Sequence, residues 1–188
     1  AGGRVRLGQK AQGLELGHEI RLRGPVVVAI QLVGAQADAE AQAKLGAMYL
    51  EGRGVPQDFA EAARWSRKAA EQGNASAQVS LGNLLIQGSG VAQNFVEAEK
   101  WFRKAAEQGD SAAQTMMGLI YSEGLGVTKD YVEAYMWLTL SAAGSTDKKS
   151  PFFQQSAELR ASVAKNMNPQ QTAEAQRRAK EWKLKQAK

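Results

Sequence analysis

The chain has 188 residues, of which 44% are apolar and 23% are charged, and its net charge is +5. This composition predicts one globular domain or one short solenoid and excludes a disordered chain. The absence of cysteine excludes a disulfide framework and a thiolate zinc site. Residues 39–146 carry 9 basic and 12 acidic side chains, whereas residues 147–188 carry 10 basic and 4 acidic ones. The central region therefore lacks the cationic lining that a phosphate-binding groove requires.

Residues 1–38 do not share the pattern of the rest, and three interpretations of them stay open. Residues 36–38 match residues 72–74 in frame, which favours a degenerate helix before the regular part of the chain. Residues 21–37 instead imitate a secretory signal, because they contain two arginines, an apolar run at 26–33 and an A-x-A site. The apolar run is too short to span a membrane. The third interpretation is a fragment or mis-assigned start. We therefore expect either a soluble cytoplasmic protein or, if the signal is real, a periplasmic or secreted one.

A segment of 36 residues occurs three times without a gap, at 39–74, 75–110 and 111–146. A period of about 20–50 residues is typical of stacked repeats, in which each unit buries its apolar face only against its neighbours. Ten alignment columns are identical in all three repeats. Their members in the first repeat are Ala41, Gln42, Gly46, Gly52, Gly54, Val55, Glu61, Ala62, Trp65 and Ala70.

Apolar periodicity predicts two helices in each repeat, which we call helix A and helix B. Asp58 is placed to cap helix B of the first repeat, and Glu61 is its predicted capping-box partner. The turn between the helices contains glycines and a proline, which permit positive φ and stop helix A. The predicted inward residues of the first repeat are Ala41, Leu45, Met48 and Tyr49 in helix A, and Phe59, Ala62, Trp65 and Ala69 in helix B.

Two invariant columns carry information about packing. The glycine inside helix A costs about 1 kcal/mol relative to alanine, and a cost taken in every repeat predicts a close approach by helix B's tryptophan or by a neighbouring helix. The tryptophan column, which includes Trp101, favours a core role over the alternative of a ligand-stacking platform.

After Gly144 the period ends, and residues 147–188 predict two capping helices that close the stack. The first spans about 150–166, and the second follows an Asn-Pro start at 168–169 and runs to about Lys185. Its basic end is interpreted as a solvated cap, the alternative being a patch that meets nucleic acid or an acidic membrane. The candidate inward residues are Phe153, Ala157, Val163 and Met167, then Ala173, Ala175, Ala179 and Trp182.

The repeats resemble the Sel-one-like repeat (SLR) family, a relative of the tetratricopeptide repeats, over residues 39–146. This resemblance implies an all-α fold, a right-handed α/α superhelix of three 36-residue helix-turn-helix repeats, here with a C-terminal capping helix pair. It also implies an adaptor, often bacterial, without shared catalytic residues. The third repeat departs from the motif at 139–141 and at Ser145. The motif residues in the first repeat are Ala39/Ala41/Gln42/Gly46, Gly52/Gly54/Val55, Glu61/Ala62/Trp65 and Ala69/Ala70/Gln72/Gly73.

Catalytic chemistry finds little support in the sequence. The single histidine, His18, lies in residues 1–38, which we call the leader. The repeats therefore cannot assemble a Ser-His-Asp or Cys-His arrangement or a histidine metal site. The Gly-x-Gly turns follow helices and lack the third glycine of a dinucleotide-binding loop. The glutamates of the Glu61 column are interpreted as capping residues. We expect no enzyme, no cofactor and no metal.

The favoured function is an adaptor, expected to be a monomer, that binds a peptide or helix of a protein partner in a concave groove, with no nucleic acid there and no transmembrane segment. The alternative is a cell-envelope hydrolase or a cell-wall ligand-binding protein. The groove is predicted from helix A positions that differ between repeats and that helix A does not bury. These positions are Lys44, Ala47, Glu51, Ser80, Asn83, Gln87, Met116, Leu119 and Glu123.

Overall fold

The computed structural model describes residues 38–144 and 151–186, and over these ranges it contains eight α-helices and no strand. The all-α prediction is confirmed. A ninth helix was expected in the leader, which lies outside the described residues together with the predicted signal segment. The helices are α1 (Ala39–Glu51), α2 (Phe59–Glu71), α3 (Ala75–Gln87), α4 (Phe95–Glu107), α5 (Ser111–Glu123), α6 (Tyr131–Gly144), α7 (Pro151–Ala164) and α8 (Pro169–Gln186).

Each repeat is a helix hairpin, with α1 packed on α2, α3 on α4 and α5 on α6. Each B helix also packs on the A helix of the next repeat, so the three hairpins form one continuous α/α solenoid. Every A helix ends in a left-handed glycine, for example Gly88 at φ 70°, whose N–H donates to the carbonyl of Leu84. The next helix begins where Asn94 Oδ1 accepts a hydrogen bond from Glu97 N at 3.0 Å. The repeated sequence therefore builds the same turn in each unit.

The capping box predicted for the B helices is only half formed. The N–H of Asp58 donates to the carbonyl of Tyr49 in the preceding helix at 3.0 Å, so it does not need the Glu61 carboxylate. That carboxylate instead accepts a hydrogen bond from the indole Nε1 of Trp65 at 3.1 Å. The equivalent pairs, Trp101–Glu97 at 3.2 Å and Trp137–Glu133 at 3.1 Å, repeat the contact. The invariant glutamate thus satisfies the buried indole donor rather than closing a capping box.

The invariant glycine inside helix A is where helix B comes closest, as predicted, but the neighbour is the residue after the tryptophan. A Cβ built on Gly82 would lie 2.7 Å from the Cε2 and Cζ atoms of Phe102, which is fully buried. A second glycine, Gly90, has φ 71°, and a Cβ there would overlap the backbone of Phe59 in the first repeat. One glycine therefore permits packing within a repeat, and the other permits packing between repeats.

The invariant tryptophans are core residues. Trp65, Trp101 and Trp137 have only 6%, 8% and 2% of their surface exposed. The core interpretation is confirmed for this column. Phe59, which was predicted to face inwards, is 39% exposed because it starts helix B at the edge of the turn, and that prediction is wrong.

Buried glutamines link successive repeats. Gln78 donates from Nε2 to the carbonyl of Ala70 at 3.1 Å, and its Oε1 accepts from Gln108 Nε2 at 2.8 Å. Gln114 makes the same bond to the carbonyl of Ala106, but position 144 is a glycine where the first two repeats have glutamine. The Oε1 of Gln114 consequently has no hydrogen-bond partner among the described residues. The column of Gln42, Gln78 and Gln114 is therefore invariant for a structural reason.

The two C-terminal helices are present, but they do not form a fourth hairpin. Helix α7 packs against α6 and α5 in the position of a next A helix, whereas α8 packs against α6. Val163, Ala175 and Ala179 are buried as predicted, and Ala173 is exposed, contrary to the prediction. Ala173 points outwards because α8 follows the i, i+4 spacing of Ala175 and Ala179 onto α6.

Candidate partner-binding surfaces

The nine predicted groove residues occupy accessible positions of α1, α3 and α5. Lys44, Glu51, Gln87 and Glu123 are exposed, and Ala47, Ser80, Asn83, Met116 and Leu119 are half-buried. In contrast, the invariant glutamine and glycine of the same helices are buried. Each A helix therefore has a packed side with invariant residues and an accessible side with variable residues. We call the accessible side, defined by these nine residues, the A surface.

The chemical character of the A surface changes along the solenoid. In α1, Lys44 pairs with Glu40 at 3.2 Å, and both side chains are largely exposed, so the pair contributes little stability. In α3 the surface is uncharged and polar, with a hydroxyl and two amides. In α5, Met116 is partly buried against the main core cluster and leaves only part of its side chain available.

A second surface, which the sequence analysis did not select, lies on the outer side of α2 and α4. Arg64 Cζ and Lys68 Nζ each lie 4.6 Å from the ring centroid of Trp65, and Lys104 Nζ lies 4.2 Å from that of Trp101. Two depressions open on this side, one of about 340 Å³ on α2 beside Arg64 and Lys68, and one of about 410 Å³ on α4 beside Trp101. We call Arg64, Lys68, Lys100 and Lys104 the basic outer face. Cations spaced i, i+4 in two successive B helices were the signal that could have revealed it.

The remaining charged groups of the B helices stabilise the contacts between repeats. Arg67 of α2 donates to Glu97 of α4, and this hydrogen bond is the main reason that the pKa of Glu97 lies below its ordinary value, although desolvation opposes it. Arg103 is desolvated by burial, which lowers its pKa, but its hydrogen bond to Glu99 at 2.9 Å and its attraction to the negative charges nearby together outweigh this, and the net shift is upwards. Burial raises the pKa of Tyr121, which accepts a hydrogen bond from Arg103. These groups are already partnered within the fold.

The arginines of α8 are also engaged within the protein. Arg177 pairs with Glu174 at 2.8 Å and with Glu181, and Arg178 pairs with Glu174 at 2.7 Å and reaches Glu133 of α6 at 3.6 Å. Hydrogen bonds to Glu174 raise the pKa of both arginines. This arrangement agrees with a solvated cap on the solenoid.

Groupings of three or more metal-ligating side chains are absent from residues 38–144 and 151–186. Over the same ranges, none of the helices is long and apolar enough to cross a membrane.

The fold and its two accessible surfaces define a short α/α solenoid of helix hairpins. A family model, described as the Sel1 repeat, matches residues 39–74, 75–110 and 111–145. The chain therefore belongs to the Sel1 repeat family.

Several solved structures are similar to the chain, and two of them serve as examples. The first is c5321, a protective antigen present in uropathogenic Escherichia coli strains and displaying an SLR fold; it is 37% identical with a TM-score of 0.72, and the match covers 83% of this chain and 32% of that one. The second is a Sel1 repeat protein from Oxalobacter formigenes, 43% identical with a TM-score of 0.57, covering 59% of this chain and 44% of that one. The chain thus spans less than half the length of either relative. A search of curated proteins finds no significant match.

Proposed function

We propose that this chain is an adaptor that holds an extended peptide or a helix of a protein partner against its A surface. Sel1 repeat proteins are generally scaffolds for protein–protein interaction, and their fold is typically non-enzymatic. The partner is a protein segment because the A surface of the middle repeat offers hydrogen-bonding groups without net charge.

One observation carries this proposal. In α3, the buried Gln78 and Gly82 are identical in all repeats, whereas the accessible Ser80, Asn83 and Gln87 differ from their equivalents in α1 and α5. Packing needs account for the first group, but no packing need fixes the second. Side chains that are released from packing and aligned on one helix face are available to recognise a partner.

The packing of the helices supports a concave shape on this side. Helix α1 contacts α3 directly, and α5 contacts α7 in the next A position, whereas α3 and α5, like the B helices α2 and α4, approach each other less closely. A solenoid curves towards the side on which its helices lie closer together. The A helices would then line the inner side, where one ligand segment can contact several repeats at once.

The proposed recognition combines polar and apolar contacts. The amides of Asn83 and Gln87 and the hydroxyl of Ser80 can pair with a peptide backbone, flanked by Lys44 and Glu123. At one end, Met116 and Leu119 offer an apolar contact for a side chain of the partner.

The test uses peptides selected for binding from a random phage-displayed library. Asn83→Ala with Gln87→Ala should weaken a selected peptide by about tenfold, the equivalent of two modest hydrogen bonds. The matched control, Lys100→Ala with Lys104→Ala, changes the outer side of the same repeat and should leave that affinity unchanged. Both double variants should melt close to the parent, because the changed residues are accessible.

The proposal fails if no selected peptide depends on Asn83 and Gln87. It fails equally if binding disappears only when residues 177–188 are deleted, which would move the site to the basic end. Stabilisation by muropeptides or β-lactams in a thermal-shift assay, without any peptide binding, would favour the cell-wall alternative.

A further inference from the structure

The third repeat shows what its outer side can bind, because a helix of the same chain lies on it. Helix α8 packs on α6, and the Trp182 and Trp137 rings meet edge to face with centroids 6.0 Å apart. Beside this pair, Met136 and Leu140 of α6 are 6% and 2% exposed and belong to the same core cluster as Ala175 and Ala179 of α8. The outer side of a B helix is therefore a surface on which an amphipathic helix docks.

The first two repeats keep the tryptophan of this docking surface but change what surrounds it. The position of Met136 is occupied by Arg64 and Lys100, and the position of Leu140 by Lys68 and Lys104. Among the described residues, no helix packs across these positions, and the depressions on α2 and α4 open here. The outer sides of α2 and α4 thus correspond to the outer side of α6 but carry cations in place of its apolar side chains.

These cations are only partly neutralised within the protein. Arg64 pairs with Glu61 at 2.6 Å, whereas Lys68, Lys100 and Lys104 have no ion pair with any described residue. Each depression is lined by three cations and one carboxylate, which is Glu71 on α2 and Glu97 on α4, so both linings keep an excess of positive charge. A ligand that brings carboxylates to this face would complete the ion pairs.

We infer that the basic outer face binds an acidic amphipathic helix from a protein partner, in the manner in which α8 lies on α6. Carboxylates spaced i, i+4 and i+7 lie on one face of a helix and span about 10.5 Å, and α2 and α4 are near enough for Arg67 to reach Glu97. Such a helix can therefore reach the lysines of both α2 and α4 while its apolar side covers the rims of the tryptophan rings. This surface is separate from the A surface, so either proposal can fail alone.

The probe is a peptide with the sequence of α8, held helical by a hydrocarbon staple on its outward side, in which the basic residues carry Arg177→Glu, Arg178→Glu, Lys180→Glu, Lys183→Glu and Lys185→Glu. The matched peptide carries glutamine at the same five positions. Binding to the full chain is followed by fluorescence anisotropy of a dye on the peptide at low and at physiological salt.

The acidic peptide should bind at least about tenfold more tightly than its glutamine control, and its affinity should fall as salt is added. Lys104→Glu should weaken it by about tenfold, whereas Lys165→Glu, an equal charge change on an exposed residue away from the face, should not. Lys104→Arg should restore binding because it keeps the cation.

Three results would overturn the inference. Equal affinity for the acidic and glutamine peptides would show that the basic outer face does not recognise the carboxylates of the peptide. An equal effect of Lys104→Glu and Lys165→Glu would show that only net charge matters. Tighter binding of a single-stranded oligonucleotide or of phosphatidylglycerol vesicles, dependent on Lys104, would assign this face to a different class of polyanion.

Discussion

Replacing Gly82 by alanine tests the packing that holds each hairpin together. In a helix without neighbours, Gly→Ala stabilises by about 0.5–1 kcal/mol because alanine loses less conformational entropy. In this protein the new Cβ would lie 2.7 Å from two ring carbons of Phe102, and that ring is fully buried. Overpacking of this kind costs about 1–3 kcal/mol. The difference between these opposing terms is a net loss of about 1 kcal/mol, within a range of about 0–2.5 kcal/mol.

The sign of the effect should reverse once the ring is removed. In a Phe102→Ala background the steric conflict disappears, and Gly82→Ala should then stabilise by about 0.5–1 kcal/mol. Because Phe102→Ala itself costs about 3–5 kcal/mol, all four proteins of the cycle are compared by urea unfolding in the same sucrose-containing buffer, which favours the folded state. If Gly82→Ala stabilises the parent protein, or destabilises both backgrounds equally, the glycine is not there to admit the ring.

Three further predictions follow from the core and the charges. Trp101→Ala should cost about 3–5 kcal/mol, read as a fall in the melting temperature, and unchanged melting would show that this tryptophan is not core. The pKa of Glu97 lies below its ordinary 4.5 because Arg67 donates to it. The contribution of the ionised Glu97 to the free energy of unfolding is therefore complete above pH 4.5 and is lost as the pH falls through the folded pKa. Glu97→Gln should therefore flatten the acid side of the stability curve by a fraction of a kcal/mol, since the pair is partly exposed, and a parallel curve would contradict this. Trp182→Ala removes the contact with Trp137 and should make α8 more sensitive to limited proteolysis while the repeats stay folded, and unchanged cleavage would contradict this.

The repeats could be predicted in detail because the same local signals occur three times. The glycine that ends α3, the Asn94 cap and the apolar spacing each predict the same hairpin, and this consistency fixes the helix bounds. The invariant glycine of helix A was correctly assigned to close approach. Its neighbour was not, because the period alone does not tell whether Trp101 or Phe102 of α4 faces α3.

Side-chain roles were harder to predict where two physical needs share one residue. Glu97 is in the right place for a capping box, but the N–H of Asn94 is already taken by the carbonyl of Leu85, and the Trp101 indole needs an acceptor. This competition depends on contacts between the two helices of the hairpin, which spacing does not reveal. Among the helices whose first turn and cap the structure describes, the box forms only at α8, where Asn168 and Gln171 exchange two bonds of 2.9 Å.

The end of the solenoid was predictable as helices but not as packing. Apolar spacing identified Ala175, Ala179 and Trp182, yet nothing local indicates that α8 crosses onto α6 instead of pairing with α7. The replacement of lysines by Met136 and Leu140 in the third repeat is the sequence change that accompanies this docking. The basic outer face became visible only once that docking was seen.

The A surface was predicted from differences between the repeats, and its residues are accessible, but its role in binding stays a prediction. Site-specific photo-crosslinking tests it most directly. Benzoylphenylalanine is introduced in place of Asn83 in one protein and of Lys104 in another, and each is irradiated with a peptide selected for binding to the parent chain. For selected peptides without a net negative charge, we expect crosslinks from position 83 and none from position 104. Crosslinks from position 104 alone would contradict the adaptor surface proposed for the A helices.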